Sequence, residues 1–182
     1  MRPFKKRIRF KDARVIELGA GCGLPGLLMG HFKAKQVVLT DIAQCVELLN
    51  ENIEGNKLEA NVTAAALNWT SPVDAKLITE KFGRDFDYIL AADTVYHPDL
   101  VLPFYNLLKH FSGDKTKILF SAPRPRVQEA TNAFFNLVHS DLFFEIEKVA
   151  PSRFIPDLKL SSAQFTRENE GLFILSRRVS AS

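Results

Sequence analysis

Apolar residues make up 46% of the 182-residue chain and charged residues 25%, a balance typical of one globular domain that excludes disordered and fibrous proteins. The formal net charge is +3, but six basic residues precede the first acid. We therefore expect a basic N-terminal arm at 1–12 and one mildly acidic domain at 13–182.

Short apolar runs alternate with helical patterns along the chain. The runs predicted as strands are 14–18, 36–41, 61–69, 86–93, 115–123, 142–150 and 171–178. The stretches predicted as helices are 22–32, 43–56, 98–111 and 127–140. This alternation predicts right-handed βαβ units around a mostly parallel sheet, which is an α/β architecture.

The last two predicted strands have no helix between them. We expect them to form an antiparallel pair at one edge of the sheet. The segment between them, 151–170, is long for an ordinary loop. It is therefore expected to contribute to function or to contain an element that the pattern does not reveal.

A glycine-rich loop follows the first predicted strand, with the sequence ELGAGCG at 17–23. Glycines at this place let the backbone turn tightly and approach a ligand. The dinucleotide fingerprint requires another glycine at position 24, which is Leu24 here. The loop therefore favours a nucleoside ligand without a pyrophosphate and argues against a nicotinamide oxidoreductase.

Polar and aromatic residues end the next two predicted strands. Asp41 lies 20 residues after Gly21, where a carboxylate can accept hydrogen bonds from both ribose hydroxyls or cap the following helix. Asn68 and Trp69 end the third strand, and Trp69 is the sole tryptophan. Its ring could lie against an adenine or belong to the core. The loop and the acid together predict a nucleoside site.

A second group of candidate residues follows the fourth strand. Ala91 and Ala92 are small enough to leave room for a ligand, and Asp93 and Tyr96 come directly after them. A carboxylate and a phenol there can hold an amine and aim its lone pair at an electrophilic methyl group. The structural alternatives are helix capping by Asp93 and packing by Tyr96.

These motifs resemble methyltransferase family 16, the seven-strand protein-lysine methyltransferases that use S-adenosylmethionine, and within it the group of the valosin-containing-protein lysine methyltransferase. The matching segments are ELGAGCGLPGL at 17–27, VVLTDIAQCVELLNENIEGN at 37–56, LNW at 67–69 and DYILAADTVYHPDLVLPFYNLL at 87–108. The last segment contains the family's Asp-x-x-Tyr signature at 93–96. The resemblance extends from about Arg14 through the final strand.

The resemblance implies a Rossmann-like class I methyltransferase fold, with a seven-stranded, mostly parallel sheet, an inserted antiparallel last strand and helices on both faces. It implies that Asp93 and Tyr96 are catalytic and face the methyl group and the incoming amine. The residues that it assigns to the cofactor are Glu17, Gly19, Ala20, Gly21, Asp41, Asn68, Trp69 and Ala92.

The resulting hypothesis is an enzyme that transfers a methyl group from S-adenosylmethionine to a protein side-chain nitrogen, with lysine as the expected acceptor and S-adenosylhomocysteine as the product. One alternative is a nucleic-acid or small-molecule methyltransferase on the same fold. The basic arm favours it, but the Pro-Pro motif of base-amine methylases does not follow Asp93. Another alternative is a catalytically silent binding module.

The setting expected from the sequence is a monomer in the cytoplasm, with the nucleus as an alternative, acting on a protein partner and not on a membrane. No apolar run reaches the roughly 20 residues that cross a bilayer. Cys22 and Cys45 lack zinc-type spacing, so we expect no metal and a reducing compartment.

Members of the family usually have several tens of residues before the glycine-rich strand, including a tryptophan. About a dozen basic residues precede that strand here. The chain is therefore expected to be an N-terminally truncated product, a fragment or a divergent member.

Overall fold

A computed structural model describes residues 9–122, 127–149 and 171–178 of the chain. Most of the basic arm, residues 1–8, and the long segment 151–170 lie outside the described residues. What the sequence predicts for those segments therefore stays a prediction. Within the described ranges, none of the helices is long and apolar enough to cross a membrane.

The described residues form seven strands and five α-helices, which alternate over most of the chain. In chain order they are β1 (Arg14–Leu18), α1 (Leu24–His31), β2 (Gln36–Asp41), α2 (Val46–Gly55), β3 (Val62–Ala66), α3 (Pro72–Phe82), β4 (Phe86–Ala92), α4 (Pro98–Phe111), β5 (Ser112–Ala122), α5 (Gln128–Asp141), β6 (Phe144–Val149) and β7 (Gly171–Arg177). A 3-10 turn, Ala43–Cys45, precedes α2.

The strands form a single sheet in the order β3-β2-β1-β4-β5-β7-β6. Strands β1 to β5 are parallel, whereas β7 runs antiparallel to both β5 and β6. The predicted parallel sheet with an inserted antiparallel last strand is therefore confirmed. The strand order reverses between β1 and β4, and ligands of open α/β sheets bind beyond the carboxyl ends of strands at such a point.

Helices cover both faces of the sheet, and the strand residues alternate between two apolar cores. Val15 and Val37 belong to the core that includes residues of α1 and α2. Ile16 and Val38 belong to the other core, which includes α4 and α5. Successive strand side chains point to opposite faces, so the alternation separates the two layers of helices.

The second core contains a group of aromatic side chains. Phe104, Phe120 and Phe134 are fully buried, with ring centroids 4.8 to 6.2 Å apart. Phe135 and Phe144 are also buried. Phe104 also packs against Trp69, which follows β3.

The structure differs from the prediction in one missed helix and, among the strand ends, most at β3 and β5. Helix α3 was not predicted, although Ser71 caps it by accepting a hydrogen bond from the Asp74 amide at 3.2 Å. Strand β3 ends at Ala66, so the predicted extension to residue 69 is wrong. Strand β5 begins at Ser112, three residues before its predicted start.

Candidate functional site

A cleft of about 190 Å³ lies beyond the carboxyl ends of β1, β2, β3 and β4. It therefore occupies the edge where the strand order reverses. Its lining consists of Gly19, Asp41, Ile42, Leu67, Asn68, Trp69, Asp93, Thr94, Tyr96 and Leu100. Residues more than 70 positions apart in the sequence meet there because the parallel strands all end at the same edge.

The loop after β1 adopts backbone conformations that favour glycine. Gly19, Gly21 and Gly23 have φ angles of +68°, +56° and +82°, in the left-handed region that side chains with a Cβ rarely enter. At Gly19 there is also little space for a side chain. A Cβ there would lie 3.0 Å from Thr94 Cγ2 and 3.0 Å from Trp69 Cζ2.

Asp41 is fixed by backbone donors from two segments. Its Oδ2 accepts a hydrogen bond from the Gly21 amide at 2.7 Å, and its Oδ1 accepts one from the Ile42 amide at 2.7 Å. Each carboxylate oxygen can accept more than one hydrogen bond, so the half-buried group retains capacity for a ligand's hydroxyls. Asp41 therefore both positions the glycine-rich loop and faces the cleft.

The thiol of Cys45 approaches the same carboxylate. Burial, the negative charge of Asp41 and a hydrogen bond to it raise the pKa of Cys45 above its usual value. Ionisation of the Cys45 thiol is therefore disfavoured beside Asp41. No set of three or more His, Cys, Asp and Glu side chains in the described parts of the chain could hold a metal ion.

Trp69 serves as both core residue and cleft wall. Its ring packs against Phe104 with centroids 4.9 Å apart, and it also lines the cleft. Asn68 beside it uses its side-chain oxygen to accept from the Thr70 amide and hydroxyl, at 3.1 and 2.9 Å. The two roles considered for Trp69, a core residue and a surface for an adenine, are therefore compatible.

Asp93 and Tyr96 line the same cleft, just after β4. Asp93 is exposed and has a φ of +56°, and its amide donates to the Ser121 carbonyl at 3.1 Å. His97, and not Asp93, caps α4, because its Nδ1 accepts from the Asp99 amide at 3.3 Å. Tyr96 is 59% exposed. Asp93 therefore does not cap the helix and Tyr96 is not packed in the core, the two structural alternatives considered for them.

Glu17 is a buried carboxyl group behind the loop. Its Oε2 accepts a hydrogen bond from the Gly26 amide in α1 at 2.9 Å. Burial raises the pKa of Glu17 to about 8; the Gly26 hydrogen bond opposes this rise and the charge of Asp41 adds to it. Glu17 is therefore mostly protonated at neutral pH and links β1 to the first turn of α1.

Six of the ten residues predicted for the site line the cleft, namely Gly19, Asp41, Asn68, Trp69, Asp93 and Tyr96. The other four, Glu17, Ala20, Gly21 and Ala92, lie beside it without forming its wall. Sequence reasoning missed Ile42, Leu67, Thr94 and Leu100. Ile42 and Leu67 each adjoin a predicted residue, which is the signal that could have found them.

The charged residues that line the cleft are all acidic. Asp41 and Asp93 both line it, and none of the described residues in its wall is basic. A site with two carboxylates and an aromatic wall suits a cationic ligand.

The wall of the cleft also contains one unusual polar group. Thr94 is 3% exposed, and its Oγ1 has no hydrogen-bond partner among the described residues.

Comparison with protein families gives one match over most of the chain. A family model described as "Lysine methyltransferase" matches residues 4–141. The chain is similar to "EEF1A lysine methyltransferase 3" of Xenopus tropicalis, with 33% identity over 72% of this chain and 55% of the relative. It is also similar to "Protein-lysine methyltransferase METTL21E" of Mus musculus, with 30% identity over 90% of this chain and 64% of the relative.

The chain spans about half the length of the curated relatives it matches first. Among solved structures, it resembles an O-methyltransferase from Bacillus cereus in complex with SAH, with a TM-score of 0.62 and 16% identity over 93% of this chain and 76% of that one. A fibrillarin/Nop5p complex gives a TM-score of 0.61 and 14% identity over 96% of this chain and 76% of that one. At such low identity these two structures support the fold alone.

Proposed function

Because this chain belongs to the lysine methyltransferase family, we propose that it transfers a methyl group from S-adenosylmethionine to the side-chain amine of a lysine in a protein. The observation that carries the proposal is the meeting of Asp41, Asp93 and Tyr96 in one cleft. Asp41 supplies a fixed acceptor for the cofactor. Asp93 and Tyr96 supply a carboxylate and a phenol on the acceptor side. The finer likeness to the valosin-containing-protein methyltransferase group remains a prediction.

The residues at the glycine-rich loop fit a nucleoside cofactor. Gly19 leaves open backbone at the cleft, and Asp41 presents a carboxylate whose orientation two amides determine. Trp69 offers an aromatic surface for a base, with Asn68 beside it. When bound, S-adenosylmethionine supplies an electrophilic sulfonium methyl group. Glu17, Ala20, Gly21 and Ala92 support this surface from outside the wall.

Asp93 and Tyr96 hold the amine that accepts the methyl group. A lysine ammonium has a reference pKa of about 10.4, so only a very small fraction is neutral at pH 7. The ammonium has no lone pair until it loses a proton. Asp93 attracts the ammonium, accepts a hydrogen bond from it and takes up that proton, which leaves the nitrogen lone pair free to attack the methyl group. The Tyr96 hydroxyl holds the nitrogen in place. Such positioning contributes much of the catalysis in a displacement reaction.

The charge of the cleft supports a lysine acceptor over an anionic one. A cleft lined by Asp41 and Asp93 attracts a basic protein segment and repels the phosphates of a nucleic acid. We place the enzyme in the cytoplasm, with the nucleus as an alternative, and expect it to act as a monomer on a protein partner.

The test is transfer of a radiolabelled methyl group from S-adenosylmethionine to a protein extract, with Asp41→Ala as the negative control. We expect label that protease removes and nuclease does not, and methylated lysine after complete hydrolysis. Nuclease-sensitive label would establish a nucleic-acid methyltransferase instead. Cofactor binding without any transfer would identify a silent binding module.

A further inference from the structure

Thr94 has a buried hydroxyl group whose hydrogen bonding is incomplete. The residue lies between Asp93 and Tyr96 and is 3% exposed, and its Oγ1 has no partner in the described ranges. Almost all buried polar side-chain atoms in native proteins are hydrogen-bonded, because an unsatisfied one destabilises the fold. A buried orphan hydroxyl in the wall of a ligand cleft therefore calls for a functional explanation.

The methyl group of Thr94, and not its hydroxyl, faces the glycine-rich loop. A Cβ built at Gly19 would lie 3.0 Å from Thr94 Cγ2, and Trp69 Cζ2 is at the same distance. Oγ1 and Cγ2 are attached to the same carbon, and threonine side chains occupy staggered rotamers. A rotation of about 120° around the Cα–Cβ bond would place Oγ1 where the methyl group now lies.

We propose that Thr94 is a hydrogen-bonding residue for the S-adenosyl ligand, an inference that rests on the proposed function. When the ligand occupies the cleft, the Thr94 side chain rotates so that Oγ1 replaces Cγ2 beside Gly19 and bonds a polar atom of the ligand. The hydroxyl is then satisfied in the complex but not in the free protein. Thr94 thereby favours the occupied state, because the bond to the ligand satisfies a hydroxyl that the free protein leaves unsatisfied.

The experiment compares the wild type with Thr94→Val, which replaces the hydroxyl by a methyl group of similar shape. Calorimetric titration with S-adenosylhomocysteine gives Kd, and thermal unfolding without ligand gives the midpoint temperature. We expect Thr94→Val to weaken binding by about tenfold, the loss typical of one hydrogen bond, and to raise the ligand-free midpoint. Thr63→Val, at an exposed position of β3, is the matched control and should leave Kd unchanged.

Two further variants keep the comparison valid if Thr94→Val does not fold. Thr94→Ser retains the hydroxyl and Thr94→Ala does not, and both lack the methyl group. We expect Thr94→Ser to bind S-adenosylhomocysteine more tightly than Thr94→Ala. The inference would be overturned if Thr94→Val bound the ligand with the same Kd as the wild type and Thr94→Ser with the same Kd as Thr94→Ala. A lower ligand-free midpoint for Thr94→Val than for the wild type would also overturn it. Neither result would contradict the proposed function. A folded wild type that does not bind the ligand would overturn the proposed function as well.

Discussion

The amide nitrogen of Gly21 lies 2.7 Å from Oδ2 of Asp41. This hydrogen bond, together with the one from the Ala20 amide to the Thr40 carbonyl at 2.9 Å, ties the loop after β1 to the end of β2. The residue proposed to hold the ribose therefore also helps to fix the loop proposed to lie beneath the cofactor. A substitution of Asp41 therefore affects both the proposed acceptor for the ribose and the glycine-rich loop. The loop and the acid therefore act as one unit in binding.

Replacing Asp41 should remove most cofactor affinity. Hydrogen bonds to a carboxylate are each worth roughly 1.5–3 kcal/mol, so Asp41→Ala is expected to raise the Kd for S-adenosylhomocysteine by about 10- to 150-fold or more. Calorimetric titration measures this change. Asp114→Ala is the matched control, because Asp114 is exposed, pairs with Arg177 and lines no part of the cleft. Equal losses in both variants would contradict the assignment of Asp41.

Removing the charge of Asp93 should strongly lower turnover and preserve the fold. Asp93 has a φ of +56°, and asparagine tolerates this left-handed conformation well. Asp93→Asn is therefore expected to retain cofactor binding while lowering kcat by at least about 100-fold, a typical loss for a positioned acid–base group. Asp12 is an exposed aspartate with a similar φ of +64°. Asp12→Asn should therefore keep full activity, and normal turnover by Asp93→Asn would show that Asp93 is not catalytic.

The raised pKa of Glu17 predicts a specific dependence of stability on pH. The folded carboxyl has a pKa of about 8, against the ordinary value of 4.5. Between these values the unfolded chain loses the proton that the folded chain keeps, so the contribution of Glu17 to folding falls as pH rises. One pKa unit corresponds to about 1.4 kcal/mol, so the loss across this window amounts to a few kcal/mol.

Glu17→Gln removes this titration while keeping an oxygen that can accept from the Gly26 amide. Urea unfolding between pH 5 and 8 should show that the variant gains stability relative to the wild type as pH rises. Glu59→Gln changes an exposed glutamate and should follow the wild-type curve. If the curves of the Glu17→Gln variant and the wild type run parallel, Glu17 is ionised in the folded protein.

Gly26 should tolerate no side chain. A Cβ there would collide with Leu39 Cδ2 and lie 2.6 Å from Glu17 Oε2. Gly26→Ala is therefore expected to destabilise the protein by about 1–3 kcal/mol, as overpacked cores do. Gly55, at the end of α2, is the control, since a Cβ there meets nothing within 4 Å. Gly55→Ala should leave stability unchanged or raise it slightly, and chemical denaturation distinguishes the two variants.

The sheet could be predicted well because its strands are short apolar runs at the right spacing. Strands β1 and β2 match their predicted bounds. Helix α3 was missed although Ser71, Pro72 and Asp74 form a recognisable N-terminal signature. The early start of β5 could not be predicted, because Gly113 and Asp114 are poor strand formers whose conformation depends on tertiary contacts.

The cleft residues could be predicted where a residue ends a strand, as Asp41 does, or directly follows one, as Asp93 does. Which of the predicted residues line the cleft and which lie outside its wall could not be predicted, because this depends on packing between distant segments. Glu17 has the sequence position of a ligand contact, yet its carboxyl turns towards Gly26. Thr94 adjoins the predicted Asp93, but the burial of its hydroxyl depends on packing between distant segments, which the sequence does not show.

The insertion of β7 between β5 and β6 sets the order in which the sheet can be completed during synthesis. In the described sheet, β6 pairs with β7 and with no other strand. While the ribosome is still translating, β5 therefore has an open edge and β6 has no place to dock until residues 171–177 have emerged from the exit tunnel. A nascent chain arrested before Gly171 would expose the backbone of β5, and an unpaired strand edge is a template for aggregation.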